Sequence, residues 1–227
     1  MPNISRIWSY SEGSFYIPRI WSNSELKKFS GHFKGNVINV SAWKDKDKEG
    51  YYYRDYFSKA SEYWTTNLIS EDVENEILLD LSIPLKEELH EKFDVVFNHT
   101  VLEHVFELET AFNNLCDLSN DIVIIVVPFL QEEHGIYGFG DYWRFTPQAI
   151  DKLFKLNDME TIYINYNNHK ESSIYVFAIG SKKKHKWNEI INHPSNKCNE
   201  IYEVDIGRRI IKGTLLGYIK SIFRKYL

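Results

Sequence analysis

A loop beyond the middle of the chain concentrates residues that could perform acid–base chemistry. His134 and Asp141 lie in segment 131–144, which ends in Arg144. A histidine titrates near neutral pH, so His134 is our first candidate for a general base that removes a proton from a hydroxyl group, and Asp141 is the second. The planar guanidinium of Arg144 is suited to binding a phosphate or carboxylate on a substrate.

Aromatic residues surround Arg144 in the sequence. Tyr142 and Trp143 precede it, and Phe145 follows it. We expect Tyr142, Trp143 and Arg144 to bind a substrate. The alternative is that the aromatic side chains fill the core and Arg144 forms a structural ion pair, because aromatic residues bury large areas wherever they occur. The sequence leaves both interpretations open.

A second polar group lies where a strand should give way to a helix. Residues 93–105 read FDVVFNHTVLEHV, an apolar run that breaks into polar residues. In an open α/β sheet, ligands bind outside the carboxyl ends of the strands, so these residues are placed to contact a substrate or cofactor. His99 is therefore a third candidate base. His104 is interpreted as a residue at a helix start that makes local hydrogen bonds, in preference to a catalyst.

The elements that must position these residues follow an α/β pattern. Short β-branched and aromatic runs alternate with longer polar or helical stretches, which predicts a largely parallel sheet with crossover connections. The last two strands are joined by a short, turn-prone link and should form a hairpin. The candidate strands are 36–40, 62–66, 77–81, 94–98, 122–127, 161–166 and 173–179.

Helices are predicted between these strands. Segments 24–29 and 102–117 have helical character, and Thr146 followed by Pro147 is a strong start signal for another helix. The aromatic cluster at 51–57 should occupy one face of a helix after the first strand, preceded by a solvated charged loop at 44–49.

Size and composition exclude several classes of protein. The 227 residues suit one main domain, and a net charge of -5 argues against sequence-independent nucleic-acid binding. A mean hydropathy of -0.40 argues against an integral membrane protein. Two cysteines are too few and too widely spaced for a disulfide framework or a four-ligand zinc site. The amino-terminal residues lack a secretory signal pattern, so we expect a cytoplasmic protein.

Three segments, in order, resemble class I S-adenosylmethionine-dependent methyltransferases. They are DLSIPL at 80–85, residues 93–105 and GDYWRFTP at 140–147. More narrowly, they look like a small-molecule branch linked to sugar and cell-surface glycan pathways. The resemblance covers about residues 35–180. It implies a Rossmann-like, seven-stranded, mostly parallel sheet with a C-terminal antiparallel hairpin, and a cofactor cleft at the tips of the first strands.

The resemblance also implies a cofactor site. By position, Asp80 would contact the adenine of S-adenosylmethionine, Leu81 would pack on that ring, and Asn98 would lie beside the methionine moiety. Ser41 and Ala42 after the first strand, and Asn67 after the second, would complete the site. The product would be S-adenosylhomocysteine, and no metal is expected.

Two features depart from the family pattern. The family usually has a glycine-rich loop after the first strand, whereas residues 39–45 read NVSAWKD. Ser41 and Ala42 are small enough for a close approach of the cofactor, but Trp43 must point elsewhere. Asn67 stands where the family usually presents a carboxylate to the ribose, so a charge-assisted hydrogen bond is lost.

We expect methyl transfer to an oxygen, with nitrogen as the second choice, of a small polar acceptor such as a sugar, nucleotide-linked sugar or phosphorylated glycan precursor. The alternative is a non-catalytic relative that keeps the fold and binds a partner or a membrane surface, which the missing glycine loop favours. Either way, we expect no nucleic-acid partner.

The chain divides into four predicted segments. Residues 1–34 cover the cleft, 35–181 form the methyltransferase-like domain, 182–205 are a polar linker, and 206–227 form a basic amphipathic helix without acidic residues. That helix would contact an anionic membrane surface peripherally, or pack against the domain or the second subunit of a homodimer. We favour packing, because apolar stripes normally face protein.

Overall fold

The structure is a computed structural model that describes residues 5–135, 138–167 and 173–191, with side chains from Pro18 onward. Seven strands form one sheet in the order β3-β2-β1-β4-β5-β7-β6. Pairs among β1 to β5 are parallel, whereas β7 lies antiparallel between β5 and β6. The strands are β1 Gly35–Val40, β2 Ala60–Asn67, β3 Glu76–Leu78, β4 Phe93–His99, β5 Ser119–Leu130, β6 Glu160–Tyr166 and β7 Ile174–Ser181.

The predicted sheet is confirmed, including its seven strands and its terminal antiparallel pair. Because β1, β2, β4 and β5 are parallel neighbours, their carboxyl ends meet at one edge of the sheet. The polar residues that follow these strands are therefore brought to one side of the molecule.

Helices cover both faces of the sheet. The helices are α1 Ser5–Ser30, α2 Leu108–Leu118, α3 Pro147–Leu156 and α4 Lys184–Trp187. Successive strand residues point to opposite faces, so each strand contributes to two cores. Ile38 and Val96 pack with α2 and α3, whereas Val37 and Val95 pack with residues of α1 and with Trp187.

Two helix predictions need correction. The predicted helix at 102–117 is split: a 3-10 turn covers Leu102–His104, and α2 begins only at Leu108. No α-helix lies between β1 and β2, where the aromatic cluster instead forms a 3-10 turn at Tyr53–Tyr56 within irregular backbone. The start at Thr146 is confirmed, because its side-chain oxygen accepts a hydrogen bond from the Ala149 amide.

The last described residues, up to position 191, pack against the sheet. Trp187 and Ile191 are buried in the core that contains α1, so the start of the predicted polar linker packs on the domain. The remainder of the linker and the predicted amphipathic helix lie outside the described residues. Among the helices that are described, none combines the length and the apolar character needed to cross a membrane.

Candidate functional site

Side chains from β4, β5 and the segments that follow them meet at the carboxyl edge of the sheet. His99 ends β4, and the turn after it carries Glu103 and His104. The loop after β5 brings His134 back to the same place, because β4 and β5 are adjacent and parallel. We call Glu103, His104 and His134 the histidine cluster, since one ligand-type atom from each lies within 4.8 Å of the others.

Arg144 organises the loop that carries His134. Its two terminal nitrogens donate to the two carboxylate oxygens of Asp141, each at 2.6 Å. Its remaining hydrogen bonds go to backbone carbonyls, among them those of Gln131 and Glu132. The structural ion pair considered for Arg144 is therefore present, and a contact between Arg144 and an acceptor anion stays a prediction.

The same pair changes the expected role of Asp141. Hydrogen bonds from Arg144, joined by one from the His134 backbone amide, hold the pKa of Asp141 far below its usual range. A carboxylate with such a low pKa is a weak proton acceptor. The ion pair with Arg144 thus argues against Asp141 as the general base, and its catalytic role stays a prediction.

The aromatic residues of the loop divide between core and surface. Phe145 is buried, and Trp143 packs on the core while its indole donates to the Val105 carbonyl at 3.0 Å. The Tyr142 backbone amide donates to the Glu103 carbonyl at 2.7 Å, its ring packs edge to face on Phe106 with centroids 5.3 Å apart, and the residue is 51% exposed. Core packing accounts for Phe145 and most of Trp143, whereas the Tyr142 ring is accessible to a ligand.

Glu103 is a buried acid. Its side chain is fully buried, and neither carboxyl oxygen has a partner among the described residues. Burial raises the pKa of Glu103 to about 8. Glu103 was not singled out from the sequence, where the available signal was an acid beside a histidine just beyond a strand exit.

The two histidines of the cluster are oriented by the loop. His104 Nδ1 lies 2.6 Å from the Gly140 carbonyl, so Nδ1 carries the proton and Nε2 faces Glu103 Oε1 at 3.9 Å. His134 Nδ1 lies 3.0 Å from Asp141 Oδ2, although their alignment is too poor for a hydrogen bond. The two rings pack edge to face with centroids 5.1 Å apart. Burial lowers the pKa of His134, which favours neutral imidazole.

His99 is held by the amino-terminal helix. Arg19 donates to its Nδ1 at 2.9 Å, and Ser22 Oγ lies 2.9 Å from its Nε2. Because Ser22 donates its own proton to the Arg19 carbonyl, His99 Nε2 is the donor in the second contact. Burial and the nearby Arg19 charge keep the pKa of His99 well below its ordinary value. Both ring nitrogens are engaged, which argues against His99 as the base, and its catalytic role stays a prediction.

The turn after β1 is tied to β2. The amides of Ser41 and Ala42 donate to Thr66, and that of Trp43 donates to Asn67 Oδ1 at 2.7 Å. Asn67 Nδ2 donates to Glu76 at 2.7 Å. Asn67 is thus engaged on both sides of its amide, and the cofactor-binding roles of Ser41, Ala42 and Asn67 stay predictions.

The other predicted cofactor residues lie nearby in different environments. Asp80 is partly exposed, and its Oδ1 accepts hydrogen bonds from the Ser82 hydroxyl and amide, which lower its pKa. Leu81 belongs to the buried core. Asn98 is fully buried and donates to the Val40 carbonyl at 3.2 Å, but its Oδ1 has no partner in the described structure. Their contacts with a cofactor stay predictions.

Residues 41–57, which we call the first-strand loop, match the expected solvated loop at 44–49 only in part: positions 44, 46, 48 and 49 are exposed. Asp45 and Asp47 are buried, although Lys44, Lys46 and Lys48 alternate with them in sequence. Ser41, Trp43 and Asp45 adopt left-handed backbone conformations, with φ near +50 to +60°. These conformations turn the Trp43 side chain outward, where it is 65% exposed. Trp43 therefore points away from the sheet, as the sequence required.

Comparisons with known proteins agree on the architecture. No protein-family model matches the sequence, and no curated protein matches it. Among solved structures, 1,6-didemethyltoxoflavin-N1-methyltransferase from Burkholderia thailandensis, crystallised with 1,6-didemethyltoxoflavin and S-adenosylhomocysteine, is similar at a TM-score of 0.51 and 12% identity, over 78% of this chain and 85% of that one. A complex between the Haloferax volcanii Trm112 methyltransferase activator and a protein described as a methyltransferase gives 0.50 and 8% identity, over 71% and 89%.

These similarities are structural, since the identities are low, and they extend over most of each chain. The strand order and the antiparallel β7 found here are consistent with the Rossmann-like fold that the sequence resemblance implied. The resemblance first indicated by three short motifs is thereby confirmed at the level of the fold: this chain has the fold of class I S-adenosylmethionine-dependent methyltransferases.

Proposed function

We propose that the protein transfers the methyl group of S-adenosylmethionine to an oxygen of a small polar acceptor. The observation that carries this proposal is the position of the histidine cluster at the open carboxyl edge of the sheet, just beyond β4 and β5. In open α/β sheets, this edge is where ligands bind. A sugar, nucleotide-linked sugar or phosphorylated glycan precursor is the acceptor class we favour, from the motif resemblance.

The reaction needs alignment and the removal of one proton. A new O–C bond forms as the S–C bond of the sulfonium breaks, leaving neutral S-adenosylhomocysteine, and the hydroxyl proton passes to a base. Positioning supplies much of such a rate enhancement. His134 is the best-placed base, because its lowered pKa keeps it neutral near pH 7 and its ring is partly accessible. The exposed ring of Tyr142 would contact the acceptor.

The donor would bind at the tips of β1, β2 and β4. Asp80 is partly exposed and ionised, which suits a hydrogen bond to a sugar or base of the nucleoside. Asn98 Oδ1 is a buried acceptor with no partner among the residues that the structure describes, as expected for an atom reserved for a ligand. Helix α1 contacts the end of β4 through Arg19 and Ser22, and we propose that it covers this cleft.

One observation favours the alternative of a non-catalytic relative. The amides of Ser41, Ala42 and Trp43 and the side chain of Asn67 are all used within the protein, so the first-strand loop offers few free donors to a cofactor. Such a protein would keep the fold and bind a partner through another surface.

Calorimetry with S-adenosylhomocysteine separates the two candidates. The enzyme proposal expects saturable heat with one site per chain, and Asp80→Ala should weaken affinity by about tenfold through loss of a charged hydrogen bond. Asp72→Ala, at an exposed site between β2 and β3, is the matched control and should leave affinity unchanged. An absence of heat at millimolar ligand would remove the enzyme proposal and support the alternative.

A further inference from the structure

The histidine cluster has the composition of a metal site. It combines two imidazoles with one carboxylate, the ligand set that proteins use for zinc and other first-row divalent metals when a coordination position is left open. Calcium and magnesium are less suited, because they prefer oxygen ligands. The three residues come from two separate segments, the turn after β4 and the loop after β5.

Glu103 supplies an independent reason to expect a ligand there. It is fully buried, both of its oxygens are without hydrogen-bond partners in the described structure, and Oε1 faces His104 Nε2 at 3.9 Å. A buried polar group without a partner costs about 1–3 kcal/mol, and more if it is charged. Such a group is best explained when a bound ion or ligand, which is not part of the polypeptide, interacts with it.

The surroundings of both histidines match those of metal ligands. A ligating histidine almost always donates its other ring nitrogen to a carbonyl or carboxylate, which fixes the ring. His104 does this through Nδ1 and the Gly140 carbonyl. His134 places Nδ1 3.0 Å from Asp141 Oδ2, so a small rotation would complete the same arrangement. In His104, this leaves Nε2 available beside Glu103.

A bound metal ion would draw the three ligand atoms closer together. Around a tetrahedral zinc, with bonds of about 2.0–2.2 Å, ligand atoms lie about 3.3 Å apart. The Glu103–His104 pair is at 3.9 Å, and the three ligand atoms lie within 4.8 Å of one another. The negative charge of Asp141 is already balanced by Arg144, so Glu103 is the carboxylate left to neutralise a divalent ion.

We propose that Glu103, His104 and His134 bind one divalent transition metal ion, with zinc as the best match. This inference reverses the expectation that no metal is required. Metal binding itself does not depend on methyl transfer. Any role for the metal in catalysis does rest on the proposed function: a Lewis acid beside an oxygen acceptor would favour loss of the hydroxyl proton, and His134 would then be a ligand instead of the base.

The test uses the full chain, first stripped with a chelator and then dialysed against buffer containing micromolar free zinc, with bound zinc measured by elemental analysis. We expect one zinc per chain. Glu103→Gln, which keeps the size of the side chain, and His134→Ala should each weaken zinc binding at least about tenfold. His90→Ala, at an exposed histidine, is the matched control and should bind like the wild type. Circular dichroism would verify that each variant is folded.

Cobalt substitution gives a second readout. Bound Co²⁺ should show visible absorption bands that are lost in Glu103→Gln and His134→Ala but kept in His90→Ala. Failure of the wild type to retain zinc, or zinc binding that survives both substitutions, overturns the inference. Retained zinc in His134→Ala together with lost turnover would leave His134 as the base.

The proposed function is tested separately by S-adenosylhomocysteine calorimetry in the presence of chelator. A protein that binds the nucleoside but no zinc contradicts only the metal inference. A protein that binds zinc but no nucleoside contradicts only the proposed methyl transfer.

Discussion

The first-strand loop and the histidine cluster both bury acidic side chains, but they differ in the hydrogen bonds that those side chains accept. Asp45 accepts hydrogen bonds from Asn39, Tyr63 and Arg54. Asp47 accepts from Tyr56 and from two backbone amides. Glu103 is at least as deeply buried, and its carboxyl group has no hydrogen-bond partner in the described structure.

The number of hydrogen-bond donors around a buried acid therefore distinguishes a structural role from a functional one better than the residue type does. A buried carboxylate with several donors fixes the backbone around it, and in the first-strand loop it holds a turn that lacks glycine. A buried carboxyl without donors stabilises nothing locally, so its presence calls for a ligand or a reaction. The comparison therefore predicts that substitutions in the two regions will change stability with opposite signs.

The largest expected effect is at Asp45. Asp45→Ala leaves the Tyr63 hydroxyl and the Asn39 amide without an acceptor and removes the charge opposite Arg54, so we expect a loss of roughly 3 kcal/mol in the free energy of unfolding. Urea denaturation measures it. Asp55→Ala, at an exposed position of the same loop, is the control and should change stability by less than about 0.5 kcal/mol. Equal losses for the two variants would show that the buried network does not hold the loop.

The opposite sign is expected at Glu103. Glu103→Leu replaces an unpartnered buried carboxyl with an apolar group of similar size, so the free energy of unfolding should rise by about 1–3 kcal/mol in metal-free protein. Urea denaturation in the presence of chelator is the measurement. Glu103→Gln keeps a polar group without a partner and serves as the control, with little change expected. A variant Glu103→Leu less stable than Glu103→Gln would mean that Glu103 has a stabilising partner.

The fold was predictable because it depends on local patterns. Alternating apolar runs located all seven strands to within a few residues, and the short link 167–170 identified the terminal antiparallel pair. Thr146 and Pro147 located the start of α3, since a cap and a first-turn proline act within one turn of helix.

The site was less predictable, because its state depends on contacts between distant segments. His99 has a reactive side chain in sequence, yet Arg19 and Ser22, about eighty positions away, occupy both of its nitrogens. Asp141 is a candidate base by residue type, but hydrogen bonds from Arg144 lower its pKa in the folded protein. Conversely, nothing in the residue type of Glu103 reveals that packing leaves its carboxyl group without donors.

A third test measures how pH changes the free energy of unfolding through His99, whose ring nitrogens are both hydrogen-bonded in the folded protein. The folded pKa of His99 is well below its ordinary value of 6.5, so the unfolded chain binds the extra proton first as pH falls. The contribution of His99 is complete above about pH 6.5 and is lost as pH decreases from there toward the folded pKa. The expected slope is at most about 1.4 kcal/mol per pH unit.

The measurement is the free energy of unfolding at pH 7.5 and 5.5 for the wild type and for His99→Gln, whose amide can still accept from Arg19 and donate to Ser22. Between these pH values, the wild type should lose about 1 kcal/mol more than the variant. His90→Gln, at an exposed histidine, should behave like the wild type. Parallel pH profiles for His99→Gln and the wild type would show that His99 is not buried in its neutral form.

The smallest effect is expected at Trp43, where the first-strand loop meets the proposed donor site. Its side chain is mostly exposed, so Trp43→Ala should change the free energy of unfolding by no more than about 0.5 kcal/mol. Trp64→Ala, at a tryptophan packed against the core, should cost roughly 2 kcal/mol. Calorimetry with S-adenosylhomocysteine gives a second measurement. If the Trp43 side chain blocked the cleft, Trp43→Ala would bind more tightly than the wild type, whereas a ring that points outward leaves the affinity unchanged. Unchanged affinity would place any obstacle to cofactor binding in the hydrogen-bonded backbone of the loop, since the partnered amides of Ser41 and Ala42 remain in the variant.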